Sequence, residues 1–178
     1  MSHVLVCYGS SEGQTATVAE RIADELSDRG HHVTLAHAKH APDDLSVSAY
    51  DGVVVGASIH FGTHQSFVAD IVHDHRDELH RLPNAFFSVS LTAAQADQES
   101  AFEARQYVEE FLEATGWEPD LTATFGGALR YREYGLMKRF VMKRIASREG
   151  MDTDTSRDHE YTDWDEVEAF TSEFEELL

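Results

Sequence analysis

Short apolar runs alternate with stripes of helical spacing along the chain, and this alternation constrains the fold more than any other feature. The run G-V-V-V-G-A at 52–57 has the continuous β-branched composition of a strand buried on both faces, which is typical of parallel sheets. Similar runs at 4–8, 32–36, 85–91 and 121–125 predict four more strands, with helices from about 15 to Gly30, about 67–81, about 102–114 and after an Asp163 cap. The sequence therefore predicts an α/β, doubly wound fold with five parallel strands between two helical layers.

The chain length of 178 residues predicts one domain, 1–178, with one long insertion. The segment from about 127 to 160, between the last strand and the last helix, is longer than an ordinary crossover. An insertion of this length in a compact domain is typically functional.

Charge is distributed unevenly along the chain. The formal net charge is −19, which disfavours nucleic acid as a partner, yet seven of the 14 cations lie between 130 and 148, opposed there only by Glu133. Apolar residues at three- and four-residue spacing, Met137, Phe140, Val141 and Ile145, predict an amphipathic cationic helix over 134–148. Two interpretations remain. Either its apolar face meets lipid or a flat ring, with Lys138, Arg139, Lys143 and Arg144 facing an anionic membrane, or it packs on the sheet with its charges solvated.

The cysteine count and the apolar runs bear on location. Cys7 is the single cysteine, which excludes an internal disulfide and a cysteine-based zinc site and predicts a small core residue. No run approaches 18 apolar residues. We expect a cytoplasmic protein, placed at the inner face of the cell membrane if the cationic helix binds lipid.

A small polar loop, Ser10–Thr15, connects the first strand to the first helix. Its hydroxyls and main-chain amides, at the positive end of a helix, predict a neutral cradle for a phosphate without any cation. The loop has neither G-x-G-x-x-G nor G-x-x-x-x-G-K-[ST], which disfavours dinucleotides and nucleoside triphosphates and favours the monoester of FMN. The alternative is an ordinary polar turn.

Ligands of doubly wound sheets bind beyond the carboxyl ends of the strands, so three loops should meet at one crevice. The predicted cofactor contacts are Ser10, Ser11, Glu12, Gly13, Gln14, Thr15, Ser58, Ile59, His60, Phe61, Gly62, Ser90, Leu91, Thr92 and Ala93. Phe61 is either a flavin-stacking side chain or a core aromatic. The histidines are expected to be mostly solvated, His60 and His64 make a poor metal site, and no catalytic acid or base stands out.

The loop S-x-E-G-x-T resembles the T-x-T-G-x-T loop of the flavodoxin superfamily, with Glu12 replacing a hydroxyl residue and expected to point outward. Further motifs follow in order: G-A-S-I-H-F-G at 56–62, F-F-S-V-S-L at 86–91, G-A-L-R-Y at 127–131, T-D-T at 153–155 and Y-T-D-W at 161–164. Together they resemble the menaquinone-dependent protoporphyrinogen IX dehydrogenase family.

That resemblance implies an FMN enzyme that oxidises protoporphyrinogen IX to protoporphyrin IX and delivers electrons to menaquinone. His60 stands where the family leads us to expect arginine, and Phe61 where we expect tyrosine. Arg130 and Arg132 are the candidates for contact with the substrate propionates. Two alternatives stay open: an electron carrier that docks on a protein through its acidic surface, and a quinone reductase that uses a nicotinamide.

Overall fold

A central parallel sheet organises the molecule. The computed structural model describes residues 1–42, 45–131, 136–148 and 150–178, without the side chains of Met137 and Lys138. The sheet strands are β1 (His3–Tyr8), β2 (His32–His37), β3 (Gly52–His60), β5 (Asn84–Ser90) and β6 (Leu121–Gly126), and a two-residue strand β4 (Thr63–His64) pairs with the end of β3. The order β2-β1-β3-β5-β6, with every pair parallel, confirms the predicted doubly wound fold.

Helices cover both faces of the sheet. On one face, α1 (Gln14–Asp28) and α6 (Trp164–Glu175) pack against alternate residues of β1, including Val4 and Val6. On the other face, α2 (Ser66–Asp74), α3 (Arg76–Leu79) and α4 (Gln98–Thr115) pack against Leu5 and Cys7. Because successive strand residues point to opposite faces, β1 contributes to two separate cores, as a strand covered on both sides must.

The structure confirms Cys7 as a core residue and corrects the helix predicted from 67 to 81. Burial raises the pKa of the Cys7 thiol to about 12. The helix is interrupted at His75, where the backbone leaves helical geometry at φ −109° and ψ 13°. A tertiary contact lies next to the bend. The Glu78 carboxylate accepts a 3.0 Å hydrogen bond from the Ser48 amide.

The insertion has a small structure of its own. Strand β7 (Ala128–Leu129) pairs antiparallel with β8 (His159–Glu160), and α5 (Leu136–Arg148) lies between them in the chain. Leu129, Tyr131 and Ala146 form a third buried cluster. The predicted basic helix therefore exists from Leu136, while Tyr134 lies outside the described residues. Within the described ranges, no helix combines the length and apolar character needed to cross a bilayer.

Candidate functional site

The three predicted loops meet at the carboxyl ends of β1, β3 and β5 and enclose a cavity of about 890 Å³. Of the fifteen predicted contact residues, all but Gly13 and Ala93 line this cavity. The walls also include Val141 and Ile145, which the sequence assigned to the apolar face of the cationic helix. Six further residues of the walls were not singled out for the site: Val89, Tyr107, Gly127, Ala128, Leu136 and Met142. The crevice expected from the strand ends is therefore present, and a helix of the insertion forms one of its walls.

Gly13 and Ala93 shape the loops and do not line the cavity. The Gly13 amide donates a 2.9 Å hydrogen bond to the Ser10 hydroxyl, and the Ala93 amide donates a 3.0 Å bond to the Ser90 hydroxyl. In both loops, a serine thus accepts from the amide three residues later. These local bonds fix each turn and leave the serines at the cavity wall.

The first turn of α1 differs from those of α4 and α6. Asp97 caps α4 and Asp163 caps α6, each with a carboxylate that accepts from first-turn amides, which confirms the predicted Asp163 cap. At α1 the capping position is Gly13, at φ +93°, and among the described residues no side chain caps this end. Amides and a helix dipole without a capping carboxylate favour an anionic ligand beside Ser10 and Thr15.

Gln65 connects two of the loops and is a positioning residue that the sequence analysis missed. Its side-chain oxygen accepts a 3.0 Å bond from the Ser58 amide, and its nitrogen donates to the hydroxyls of Ser58 and Ser11, the latter at 3.3 Å. The Ser58 amide, which was expected to face the cofactor, is therefore occupied by Gln65. Gln65 is buried and holds the first loop at a fixed distance from the end of β3.

Phe61 is at the tip of the β3–β4 hairpin. It is 97% exposed, so the core-aromatic interpretation is wrong, and its ring stacks on His60 with centroids 5.5 Å apart. Phe61 and Gly62 form the two-residue turn with φ values of +51° and +81°. Phenylalanine at a positive φ is strained, and such strain is concentrated at functional sites.

His60 and Glu12 belong to different loops of the cavity wall, yet their side chains lie close together. The His60 Nε2 atom lies 3.8 Å from the Glu12 Oε1 atom. The expectation that Glu12 points outward is therefore wrong, since its side chain is only 20% exposed and lines the cavity. The imidazole beside it provides the physical reason, because a carboxylate is more favourable next to a potential cation than next to other anions.

His64 is on the opposite side of the hairpin and is not a solvated histidine. Its Nε2 atom is 2.8 Å from the Ser88 hydroxyl, and its ring packs edge-on against Phe86 and Phe111. Burial lowers the pKa of His64 to about 4, so the ring is neutral at pH 7. The Nε2 atom of His60 lies near Glu12, whereas that of His64 contacts Ser88.

Arg130 changes the interpretation of the first loop. Its guanidinium donates to the Gln14 side-chain oxygen at 2.9 Å and to the Thr17 hydroxyl at 3.3 Å. It also lies against Gly13, 3.6 Å from the position that a Cβ atom would take there. A cation therefore lies beside the first loop, although Arg130 does not itself line the cavity. Arg132, the other predicted propionate contact, lies outside the described residues.

Helix α5 presents two different surfaces. Val141, Met142 and Ile145 line the cavity, whereas Phe140 is 68% exposed and does not. The single apolar face predicted from spacing is therefore wrong: Val141 and Ile145 share one row of the helix, while Phe140 shares another row with Arg144.

The cations of α5 are also divided. Lys143 and Arg144 are exposed, but Arg139 donates from Nε to the Tyr131 carbonyl at 3.0 Å and is half-buried. The side chain of Lys138 lies outside the described part of the chain. The exposed surface that could meet a membrane is thus built around Phe140, Lys143 and Arg144.

The fold and the loop-lined cavity define a flavodoxin-type domain, and the comparisons with known proteins agree. A family model described as a flavodoxin domain matches residues 5–156. The crystal structure of oxidised Flavodoxin 1 from Bacillus cereus superposes with a TM-score of 0.59 at 17% identity, covering 99% of each chain, which shows the shared fold.

Relatives whose names state an activity identify a smaller family within the flavodoxin-type proteins. Protoporphyrinogen IX dehydrogenase (quinone) of Escherichia coli K12 is 35% identical over 173 residues, which is 97% of this chain and 94% of that protein. The protein of the same name from Leishmania major is 33% identical over 174 residues, 97% of this chain and 74% of that protein. The chain belongs to the protoporphyrinogen IX dehydrogenase (quinone) family of flavodoxin-like proteins.

Proposed function

We propose that this chain is an FMN-dependent enzyme that oxidises protoporphyrinogen IX to protoporphyrin IX and passes the electrons to menaquinone. The observation that carries the proposal is the cavity in which three flavodoxin-type loops face apolar side chains of α5. Family membership supports the chemistry, because the Escherichia coli and Leishmania major relatives are named for this substrate and for a quinone.

The residues at the strand ends fit FMN. The cavity volume of about 890 Å³ is within the range of roughly 300–1,000 Å³ found for small-molecule sites. Ser10, Thr15 and the uncapped first turn of α1 would hold the phosphate, while the Ser58–Gly62 and Ser90–Thr92 loops would hold the ring system. When bound, FMN supplies the hydride-accepting and electron-transferring chemistry that the protein side chains lack.

The protein's own task is to place the tetrapyrrole substrate against that ring system and to exclude water. Val141, Met142 and Ile145 give one side of the cavity an apolar wall, and Phe61 gives its rim an exposed aromatic ring. Such surfaces suit the apolar face of a tetrapyrrole. Of the two arginines predicted to bind propionates, Arg132 keeps that proposal, whereas Arg130 is engaged at the first loop.

We also propose a cytoplasmic location with α5 against the inner, anionic face of the cell membrane. Phe140 can enter the headgroup region while Lys143 and Arg144 contact anionic lipids. The cavity wall and this surface belong to the same helix, so a membrane quinone would approach the site from the lipid side. Lys138 and Arg139 were predicted to join this surface, but Arg139 is tied to the Tyr131 carbonyl.

An anaerobic turnover experiment tests the activity. Purified protein loaded with FMN is mixed with protoporphyrinogen IX and a menaquinone analogue, and porphyrin fluorescence is followed. We expect fluorescence that depends on both FMN and quinone. Val141→Glu, which places a charge in the apolar wall, should abolish turnover while retaining FMN, and Val33→Ala in the sheet far from the cavity is the control.

The same assay separates the alternatives. An electron carrier would produce no porphyrin, yet would shuttle electrons between a reductase and an acceptor protein. A nicotinamide-dependent quinone reductase would oxidise NADH or NADPH in the presence of quinone without the tetrapyrrole. Either result would contradict the proposed oxidation of protoporphyrinogen IX.

A further inference from the structure

We propose that Arg130, supplied by the insertion, is a phosphate-recognition residue for the flavin cofactor, which makes this cradle cationic where the sequence predicted a neutral one. The inference rests on the proposed FMN site. It assigns Arg130 a role different from the substrate contact that the sequence suggested. The chemistry recognised is a phosphate monoester bound beside the first turn of α1.

The position of the guanidinium is the first argument. Arg130 follows β7, far from the first loop in sequence, yet its Nη2 atom lies 2.9 Å from Gln14 Oε1 and 3.3 Å from Thr17 Oγ1. The group lies beside Gly13, the capping residue of α1, and among the described residues no side chain caps this helix end. A cation and uncapped amides at one helix end both favour the same ligand, an anion.

A chain of hydrogen bonds holds the guanidinium there. The Gly126 carbonyl accepts from the Thr162 hydroxyl at 2.6 Å, and the Thr162 oxygen accepts from the Gln14 side-chain nitrogen at 2.8 Å. This fixes the amide of Gln14 so that its oxygen faces Arg130. The end of β6, the Y-T-D-W motif and the first loop are thereby joined, and Arg130 is preorganised instead of being ordered when the ligand binds.

The charge of the whole molecule makes such a cation useful. A protein with a formal charge of −19 repels a dianionic phosphate, and Glu12 adds a carboxylate to the cavity wall itself. Main-chain amides alone would have to overcome that repulsion. An arginine at the loop offsets it locally, and arginine suits phosphate because its planar group donates several parallel hydrogen bonds.

The test compares FMN with riboflavin, which lacks only the phosphate. Dissociation constants of both flavins are measured by fluorescence quenching on the apoprotein of wild type, Arg130→Gln and Arg130→Lys. We expect Arg130→Gln to weaken FMN binding by about 10-fold or more, while the dissociation constant of riboflavin changes less than about twofold. The FMN affinity of Arg130→Lys should lie between those of wild type and Arg130→Gln, because lysine keeps the positive charge but lacks the planar guanidinium group. Arg139→Gln, a second arginine of the insertion that bonds a backbone carbonyl, should leave both flavins unchanged.

Three results would overturn the inference. Equal losses of FMN and riboflavin in Arg130→Gln would show that the arginine only tethers the insertion. Unchanged FMN affinity with a raised KM for the tetrapyrrole would return Arg130 to the propionates. Wild type that binds neither flavin would instead remove the proposed function, a result distinct from the other two.

Discussion

The neutral imidazole of His64 is enclosed beneath the hairpin that carries Phe61. Its contacts are the Ser88 hydroxyl and the aromatic rings of Phe86 and Phe111, none of which stabilises a positive charge as a carboxylate would. The folded protein therefore resists protonation of His64, while the unfolded chain takes up that proton near pH 6.5. Stability must fall as pH drops from about 6.5 towards 4, the window set by the lowered pKa.

We expect the free energy of unfolding to decrease by about 2 kcal/mol between pH 7 and pH 5 through His64 alone. Urea denaturation at the two pH values measures it in wild type and in His64→Gln, which cannot titrate. The variant starts from a lower stability at pH 7 but loses correspondingly less on acidification. His32→Gln, at an exposed position, is the control and keeps the wild-type decrease. Parallel decreases in wild type and His64→Gln would contradict the assignment.

At the scale of elements, the β3–β4 hairpin combines a strained backbone with an exposed ring. Residues with a side chain tolerate positive φ poorly, whereas glycine adopts it readily. Replacing Phe61 separates the two properties, because Phe61→Ala removes the ring and keeps the strain, and Phe61→Gly removes both.

We expect Phe61→Gly to be more stable than Phe61→Ala by about 1 kcal/mol. Both should bind FMN or riboflavin about 10-fold more weakly than wild type, because an aromatic contact with the flavin ring is lost in each. Thermal unfolding and flavin titration provide the two measurements. Phe102→Ala removes another exposed phenylalanine outside the cavity and should leave flavin affinity unaffected. Full flavin affinity in the Phe61 variants would show that this ring does not contact the cofactor.

Helix α5 gives a prediction about membranes. Each cation near an anionic bilayer contributes about 1 kcal/mol, so reversing Lys143 and Arg144 together should weaken binding to phosphatidylglycerol vesicles by at least about 30-fold. Co-sedimentation measures this, and flavin titration checks that the site is intact. The control carries the same charge change elsewhere, in Arg81→Glu/Arg105→Glu. Equal losses in the two double variants would indicate an effect of overall charge and exclude a membrane-binding surface on α5.

The elements differ in how well sequence patterns predict them. The five sheet strands were predictable because each is long enough to show a buried apolar run, and the strand-end rule then placed the loops of Ser10, Ser58 and Ser90 together. Strands β4, β7 and β8 contain two residues each, too few to show any period. Gly127 follows a strand end and could have been included in the site by the same rule.

Other features depend on contacts that no local pattern records. The burial of His64 and the bridging role of Gln65 arise from elements packed around them. Arg130 reaches the first loop through partners more than a hundred positions away in the chain. Spacing indicates which residues of α5 share a row, but not which row lines the cavity.

At the scale of the whole molecule, the net charge of −19 predicts a stability that depends on salt. Repulsion within an acidic surface destabilises the compact state, and ions screen it. We expect the Tm to rise by several degrees between about 0.05 M and 1 M NaCl, with a similar rise in KCl, because screening does not depend on the cation's identity. Differential scanning calorimetry of the FMN-free protein measures it. A Tm that falls over this range would mean that specific ion pairs outweigh the general repulsion.

The insertion leaves and rejoins the sheet domain at one narrow stem. The Tyr161 amide donates to the Gly127 carbonyl at 3.0 Å, and β7 and β8 run side by side from there. More than thirty residues could therefore be excised and the cut ends spliced by a short linker, with the two core clusters untouched. Such a shortened protein would retain the flavodoxin-type scaffold and would lose together the α5 wall of the cavity, the exposed cations of α5 and the arginine beside the first loop.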